Sequence, residues 1–160
     1  MGLAPAAVGP GECRTLSRGT TTACYYATIH REATEVLCRV AHAAGQRALV
    51  GKVNMDRNAP ADYCERTDES LAETERFVQH CREQYGADGL VTPVITPRFV
   101  PTCSAELLRG LGAIAAKHQL PVQSHISENV GEVAWVRELH PESRSYSQVY
   151  ADAGLLGARS

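Results

Sequence analysis

The order in which strand-like and helix-like segments follow one another is the strongest constraint in this chain. Residues 19–29 (GTTTACYYATI) are rich in Thr, Tyr and Ile, which suit a pleated surface. Apolar residues at Ala33, Val36, Leu37, Val40, Ala41 and Ala44 then recur at helical spacing, and Gly45 stands where a C-terminal cap belongs. The same alternation recurs downstream. A strand pattern at 47–55 (RALVGKVNM) leads into a polar loop through Asn58, Pro60 and Asp62. A helix follows in which Leu71, Thr74, Val78, Cys81 and Tyr85 step by three and four. Acidic Asp68 and Glu69 lie in its first turn, and Gly86 follows its end. A third strand pattern covers 89–96 (GLVTPVIT), although Pro93 removes a ladder donor. Ser104 can cap a helix carrying Leu107, Leu108, Leu111, Ile114 and Ala115. A fourth strand pattern, 120–127 (LPVQSHIS), precedes a helix with Val133, Val136 and Leu139 and a last short helix within 146–156.

Strand and helix in regular alternation predict parallel strands joined by crossover helices. A doubly wound sheet and half of a (β/α)₈ barrel both fit. The chain has no G-x-G-x-x-G and no P-loop, which lowers the weight of the nucleotide-binding doubly wound folds. The expectation is an α/β fold, a partial TIM (β/α)₈ barrel of about four β-α units with mostly parallel strands. Its organisation reads as a disordered leader at 1–13, one barrel-derived domain at 14–156 and a tail at 157–160.

Composition narrows the partners. The chain has 160 residues, a formal net charge of -2 and 21% charged residues, so neither a nucleic-acid groove nor an anionic membrane surface is implied. No apolar run approaches the roughly 20 residues that cross a bilayer, and the N-terminus lacks the basic start of a secretory signal. The six cysteines, at 13, 24, 38, 64, 81 and 103, form no C-x-x-C pair. A thiolate zinc site is therefore not indicated. Reduced thiols in the cytosol, most of them small core residues, are the expectation.

Catalytic residues of barrels sit at the C-terminal ends of strands. Those ends read here as His30, Asp56, Arg98-Phe99 and 124–128 (SHISE). Alternation puts Gln123, His125 and Ser127 on one face. An inward His125 can ligate a metal ion, while Glu128, just past the strand, can carry protons. The competing reading of His125 is a hydrogen-bonded structural histidine. Arg98 offers fixed planar donors and Phe99 a stacking surface; the plainer alternative is a surface Arg beside a core Phe. His30 and Asp56 read as solvated loop residues and Lys52 as an outward-facing charge. His42, His80, His118 and His140 read as surface groups on helices or their edges.

Taken together, 14–30 (RTLSRGTTTACYYATIH), 45–56 (GQRALVGKVNMD), 69–78 (ESLAETERFV), 91–104 (VTPVITPRFVPTCS) and 123–129 (QSHISEN) resemble the guanine deaminases of the amidohydrolase superfamily. The likeness runs over about 14–156, and TPRF followed by QSHISEN is its specific part. It implies a barrel, one zinc ion per complete subunit and hydrolysis of guanine to xanthine and ammonia in purine catabolism. It implies His125 as a zinc ligand, Glu128 as the proton carrier, and Arg98, Phe99, His125 and Glu128 along the substrate. A cytosolic homodimer of the complete protein is also implied. The sequence departs from the family at one point in particular: it contains no H-x-H pair, so His125 is the one expected metal ligand. The chain alone is therefore expected to be inactive, and as an open half-barrel to be poorly stable or self-associating. A non-catalytic truncated isoform acting through subunit or partner binding is the alternative.

Overall fold

A computed structural model describes residues 10–87 and 89–157. Its strands are β1 (Thr22–Tyr26), β2 (Arg47–Gly51), β3 (Val53–Asn54), β4 (Val91–Pro93) and β5 (Thr96–Pro97). Its α-helices are α1 (Pro10–Ser17), α2 (Arg31–Ala43), α3 (Thr67–Tyr85), α4 (Ala105–His118), α5 (Val130–Leu139) and α6 (Tyr146–Asp152). Every strand pair is parallel: β1 with β2, β2 with β4, and β3 with β5. β3 continues β2 and β5 continues β4 in an unbroken register, since Val50 faces Pro93 and Val53 faces Thr96. The strands thus lie side by side in chain order, with no reversal of the kind that defines a doubly wound sheet.

Side-chain alternation sorts the two faces of this sheet. Tyr25, Ala48, Val50 and Val91 pack with Cys38 and Ala41 of α2 and Phe77, Cys81 and Tyr85 of α3. Cys24, Tyr26, Leu49, Gly51 and Thr92 therefore occupy the opposite face. A second apolar cluster joins Ile95, Val100, Leu107, Leu108 and Leu111 to Val136 of α5 and to Tyr146, Val149 and Tyr150 of α6. Helix ends follow sequence chemistry. The Ser104 hydroxyl accepts from the Leu107 N–H at 3.0 Å, as predicted, and Asn129 and Ser145 cap α5 and α6 in the same way. Among the described residues no helix is long and apolar enough to cross a membrane.

Several expectations need correction. Residues 120–127 do not form a strand: one bridge, Ile95 to Val122, stands in its place. Its ladder-type backbone bonds run to one neighbour, through Ile95 N–H to the Pro121 carbonyl, Gln123 N–H to Ile95 and His125 N–H to Arg98, the last stretched to 3.4 Å. Residues 1–9 of the leader and 158–160 of the tail lie outside the described residues, but Pro10 already begins α1, so the leader's last residues are helical. Lys52 is not solvated. It continues the Ala48–Val50 face, is 1% exposed, and donates to Glu65 Oε1 at 2.6 Å and to the Val53 carbonyl. Burial lowers its pKa against the opposing pull of Glu65. His140 is buried, because the end of α5 turns it inward against the α4–α6 side, and the side chain of His118 is largely covered where it meets Glu75 at 2.7 Å. Cys38, Cys81 and Cys103 are core residues, whereas Cys24 is exposed and Cys64 half-buried; the Cys13 side chain lies outside the described residues.

The Lys52–Glu65 pair anchors a polar network. Glu65 Oε2 accepts from Ser70 at 2.7 Å, and the Asn54 amide donates to Ser70 and Thr74. Glu65→Ala strands a buried ammonium, so urea unfolding is expected to show a loss of about 3–5 kcal/mol. Gly112→Ala is also expected to lower the midpoint of thermal unfolding, because a methyl there overlaps the Ala153 carbonyl, a backbone atom that cannot swing aside.

Candidate active site

The parallel ladder brings the C-terminal ends of its strands to one edge, and the sequence-predicted residues collect there unevenly. Arg98 follows β5 directly, and its backbone N–H donates to the Asn54 carbonyl at the end of β3. Its guanidinium carbon lies 5.4 Å from the centroid of the Phe99 ring, and Nη1 approaches Met55 Sδ at 3.4 Å. Arg98 and Phe99 are both half-buried, so Arg98 is less exposed and Phe99 less buried than in the reading of a surface Arg beside a core Phe.

His125 reaches the same edge from the 120–127 segment. Its Nδ1 lies 2.9 Å from the Arg98 carbonyl, and its ring meets the Tyr26 ring edge-on at 4.6 Å between centroids. A carbonyl only accepts, so in the neutral imidazole Nδ1 carries the hydrogen and Nε2 keeps its lone pair. That is the arrangement of a metal-ligating histidine whose second nitrogen is bonded to a backbone carbonyl. Gln123, two residues earlier on the same face, accepts from the Cys24 thiol at 2.8 Å and donates to Thr96 Oγ1 and the Tyr25 carbonyl. The face of the sheet opposite α2 and α3 therefore carries Cys24, Tyr26, Thr96, Gln123 and His125 together.

Glu128 stands on the exposed stretch before α5 and has no hydrogen-bond or ion-pair partner among the described residues. Between it and His125, Ser127 holds φ at 54°, a left-handed conformation that L residues seldom adopt and that turns the chain sharply there. Among the described residues no group of three His, Cys, Asp or Glu could hold a metal ion, so His125 fits as one ligand and not as a complete centre.

Two further strand-end residues do something else. His30 is exposed, its ring 5.8 Å from that of Tyr63, and its carbonyl starts α2. Asp56 is a structural clasp: Oδ1 accepts from the Ser104 N–H at 2.7 Å, and Oδ2 accepts from the Ser104 and Thr67 hydroxyls at 2.6 and 2.7 Å. It thereby ties the starts of α3 and α4 to the end of β3. Sequence reasoning missed Tyr26, Met55 and Tyr150 at this edge. The Tyr26 hydroxyl donates toward the Arg98 carbonyl at 2.6 Å, and burial pushes its pKa up. Only the placement of Tyr26 on the face of β1 shared with Cys24 could have signalled it.

A parallel sheet with helices on one face and polar residues at the C-terminal strand ends is an α/β arrangement that gathers side chains from distant segments at one edge. Comparison with known proteins makes the class definite: residues 13–159 match the amidohydrolase family, and the chain belongs to it. Its relatives are more particular. It is 46% identical to a guanine deaminase of Dictyostelium discoideum over 147 residues, 92% of this chain and 32% of that protein. The crystal structure of a guanine deaminase from C. acetobutylicum, with guanine bound in its active site, superposes with a TM-score of 0.87 at 42% identity, covering 92% of this chain and 34% of that one. An adenosine deaminase from Xanthomonas campestris with bound zinc shares the fold, with a TM-score of 0.75 at 24% identity over 90% of this chain and 30% of that one. The chain thus spans about one third of the length of the relatives it matches.

Asp56→Ala is expected to lower the unfolding free energy by about 2 kcal/mol, because it orphans charge-assisted bonds at two helix starts. Urea titration followed by circular dichroism measures this.

Proposed function

We propose that this chain is part of a zinc-dependent guanine deaminase barrel, in which it supplies the strand ends that hold the purine and one ligand of the metal. The observation that carries the reading is the contact of the His125 Nδ1 with the Arg98 carbonyl, which leaves Nε2 free at the edge where Arg98 and Phe99 also lie. The 42% likeness to a guanine deaminase crystallised with guanine supports the substrate. The in-order parallel strands support a partial (β/α)₈ barrel.

In this reading Phe99 offers its ring to the base, and Arg98 donates hydrogen bonds toward the O6 side, fixing which carbon faces the metal. Glu128, exposed and unpaired among the described residues, moves a proton from water to a ring nitrogen and then assists departure of ammonia. Zinc, when bound, supplies a nucleophile near neutral pH by acidifying water. A catalytic zinc takes about three protein ligands, so the chain by itself does not turn over. The complete protein acts as a cytosolic homodimer in purine catabolism. A second reading, a non-catalytic chain that associates with other subunits, is favoured by the apolar rim of Ile126, Val130 and Leu156, exposed by 47%, 88% and 49%.

Two ammonia-release assays test the proposal. With guanine and added zinc, this chain alone is expected to stay at the zinc-only blank; turnover abolished by Glu128→Ala would overturn the incomplete-centre part. A chimera places residues 14–156 in the matching segment of the Dictyostelium guanine deaminase. It is expected to deaminate guanine in preference to adenine or cytosine. Glu128→Ala in the chimera is expected to lower kcat by about 10²–10⁴, and His125→Ala to remove activity together with bound zinc. Full activity in both variants would sink the assignment.

A further inference from the structure

His125 is exposed, and the segment that carries it is not a strand. Its ring is therefore not held by burial, and its own ladder bond, N–H to the Arg98 carbonyl, is long at 3.4 Å. Something else must fix the backbone at this position if Nδ1 is to stay on the Arg98 carbonyl. The shortest tether comes from α6. The Tyr150 hydroxyl donates to the His125 carbonyl at 2.7 Å and lies 2.7 Å from Ser124 Oγ. Ser124 Oγ also lies 2.8 Å from the Pro97 carbonyl, at the end of β5.

Proton counting orders this group. With the Tyr150 hydrogen on the His125 carbonyl, the Tyr150 oxygen can accept from Ser124. The Ser124 hydroxyl has one hydrogen and two acceptors within reach, the Tyr150 oxygen at 2.7 Å and the Pro97 carbonyl at 2.8 Å. In both arrangements Tyr150 donates to the His125 carbonyl, and the Ser124 hydroxyl braces the Tyr150 oxygen against the end of β5. Tyr150 is itself packed in the core: it is 3% exposed, and its ring stacks on Tyr146 at 5.8 Å with a 17° tilt.

We infer that Tyr150, through its bond to the His125 carbonyl and its partner Ser124, is the positioning residue that keeps the His125 imidazole in a single orientation and tautomer, Nδ1–H on the Arg98 carbonyl and Nε2 free. It touches neither substrate nor metal; it acts by holding position 125 against the end of β5. Its importance for metal binding rests on the proposed role of His125, while the tautomer itself does not.

The test uses this 160-residue chain, ¹⁵N-labelled, at about pH 8, where unperturbed imidazoles are neutral. Two-bond ¹H–¹⁵N correlation spectra report the His125 tautomer. The unmodified chain is expected to show one protonated and one bare nitrogen. Tyr150→Phe keeps the stacked ring and removes only the hydroxyl, and it is expected to give averaged or exchange-broadened nitrogen shifts with circular dichroism unchanged. Titration with Zn²⁺ alone, followed at the Nε2 resonance, is expected to show affinity lowered by about tenfold or more in this variant. A folded Tyr150→Phe chain with the same sharp, single-tautomer pattern overturns the inference. Should Tyr150→Phe unfold, Ser124→Ala decides: it removes the hydroxyl that braces the Tyr150 oxygen, and an unchanged His125 pattern overturns the inference equally. If Zn²⁺ leaves Nε2 unmoved even in the unmodified chain, the metal-ligand reading of His125 fails, and the tautomer comparison still decides the role of Tyr150.

Discussion

The parallel ladder that runs from β1 through β2 and β3 to β4 and β5 is the constraint from which the rest of this structure follows. Parallel strands cannot be joined by tight turns, so each connection must cross back over the sheet, and α2 and α3 do so on one face. Because the register continues from Val50–Pro93 to Val53–Thr96, the strand ends stay level with one another. Tyr26, Met55, Arg98 and His125 meet at one edge for that reason, although they are distant in sequence.

On that ladder rests a division of labour between buried and exposed polar groups. The Lys52–Glu65–Ser70–Asn54 network lies beneath the sheet on the helix side and holds α3 to β3. Asp56 performs a similar service for the starts of α3 and α4. These groups point inward and, apart from Asn54 Oδ1, are hydrogen-bonded. Glu128 is unpaired among the described residues and the Nε2 of His125 keeps a free lone pair, so these two groups stay open while the supports of the edge are closed.

Where the sequence was legible, one periodic signal was not opposed by tertiary context. The helical steps of 71–85 and the Ser104 cap required only local chemistry, and both elements formed where predicted. The residues around 120–127 carried an equally good strand pattern and formed one bridge, because a ladder needs neighbours and the segment's backbone ladder bonds run to one side. Lys52 shows the same limit. It reads as an outward-facing charge, and no local rule announces that Glu65, from the loop before α3, will meet it in the interior. Asp56 reads as a loop acid until Thr67 and Ser104 close on it.

By itself the sequence determined that strands and helices would alternate, that the strands would be parallel, and that Arg98, Phe99, His125 and Glu128 were the residues to watch. These follow from spacing and side-chain type, which are local properties, and from the resemblance carried by TPRF and QSHISEN. Only the tertiary structure decided which nitrogen of His125 is free and what fixes it, for the Arg98 carbonyl and the Tyr150 hydroxyl lie 27 and 25 residues away along the chain. A hydrogen bond is directional and short-ranged, so contacts between such separated residues exist only once the backbone has brought donor and acceptor within about 3 Å.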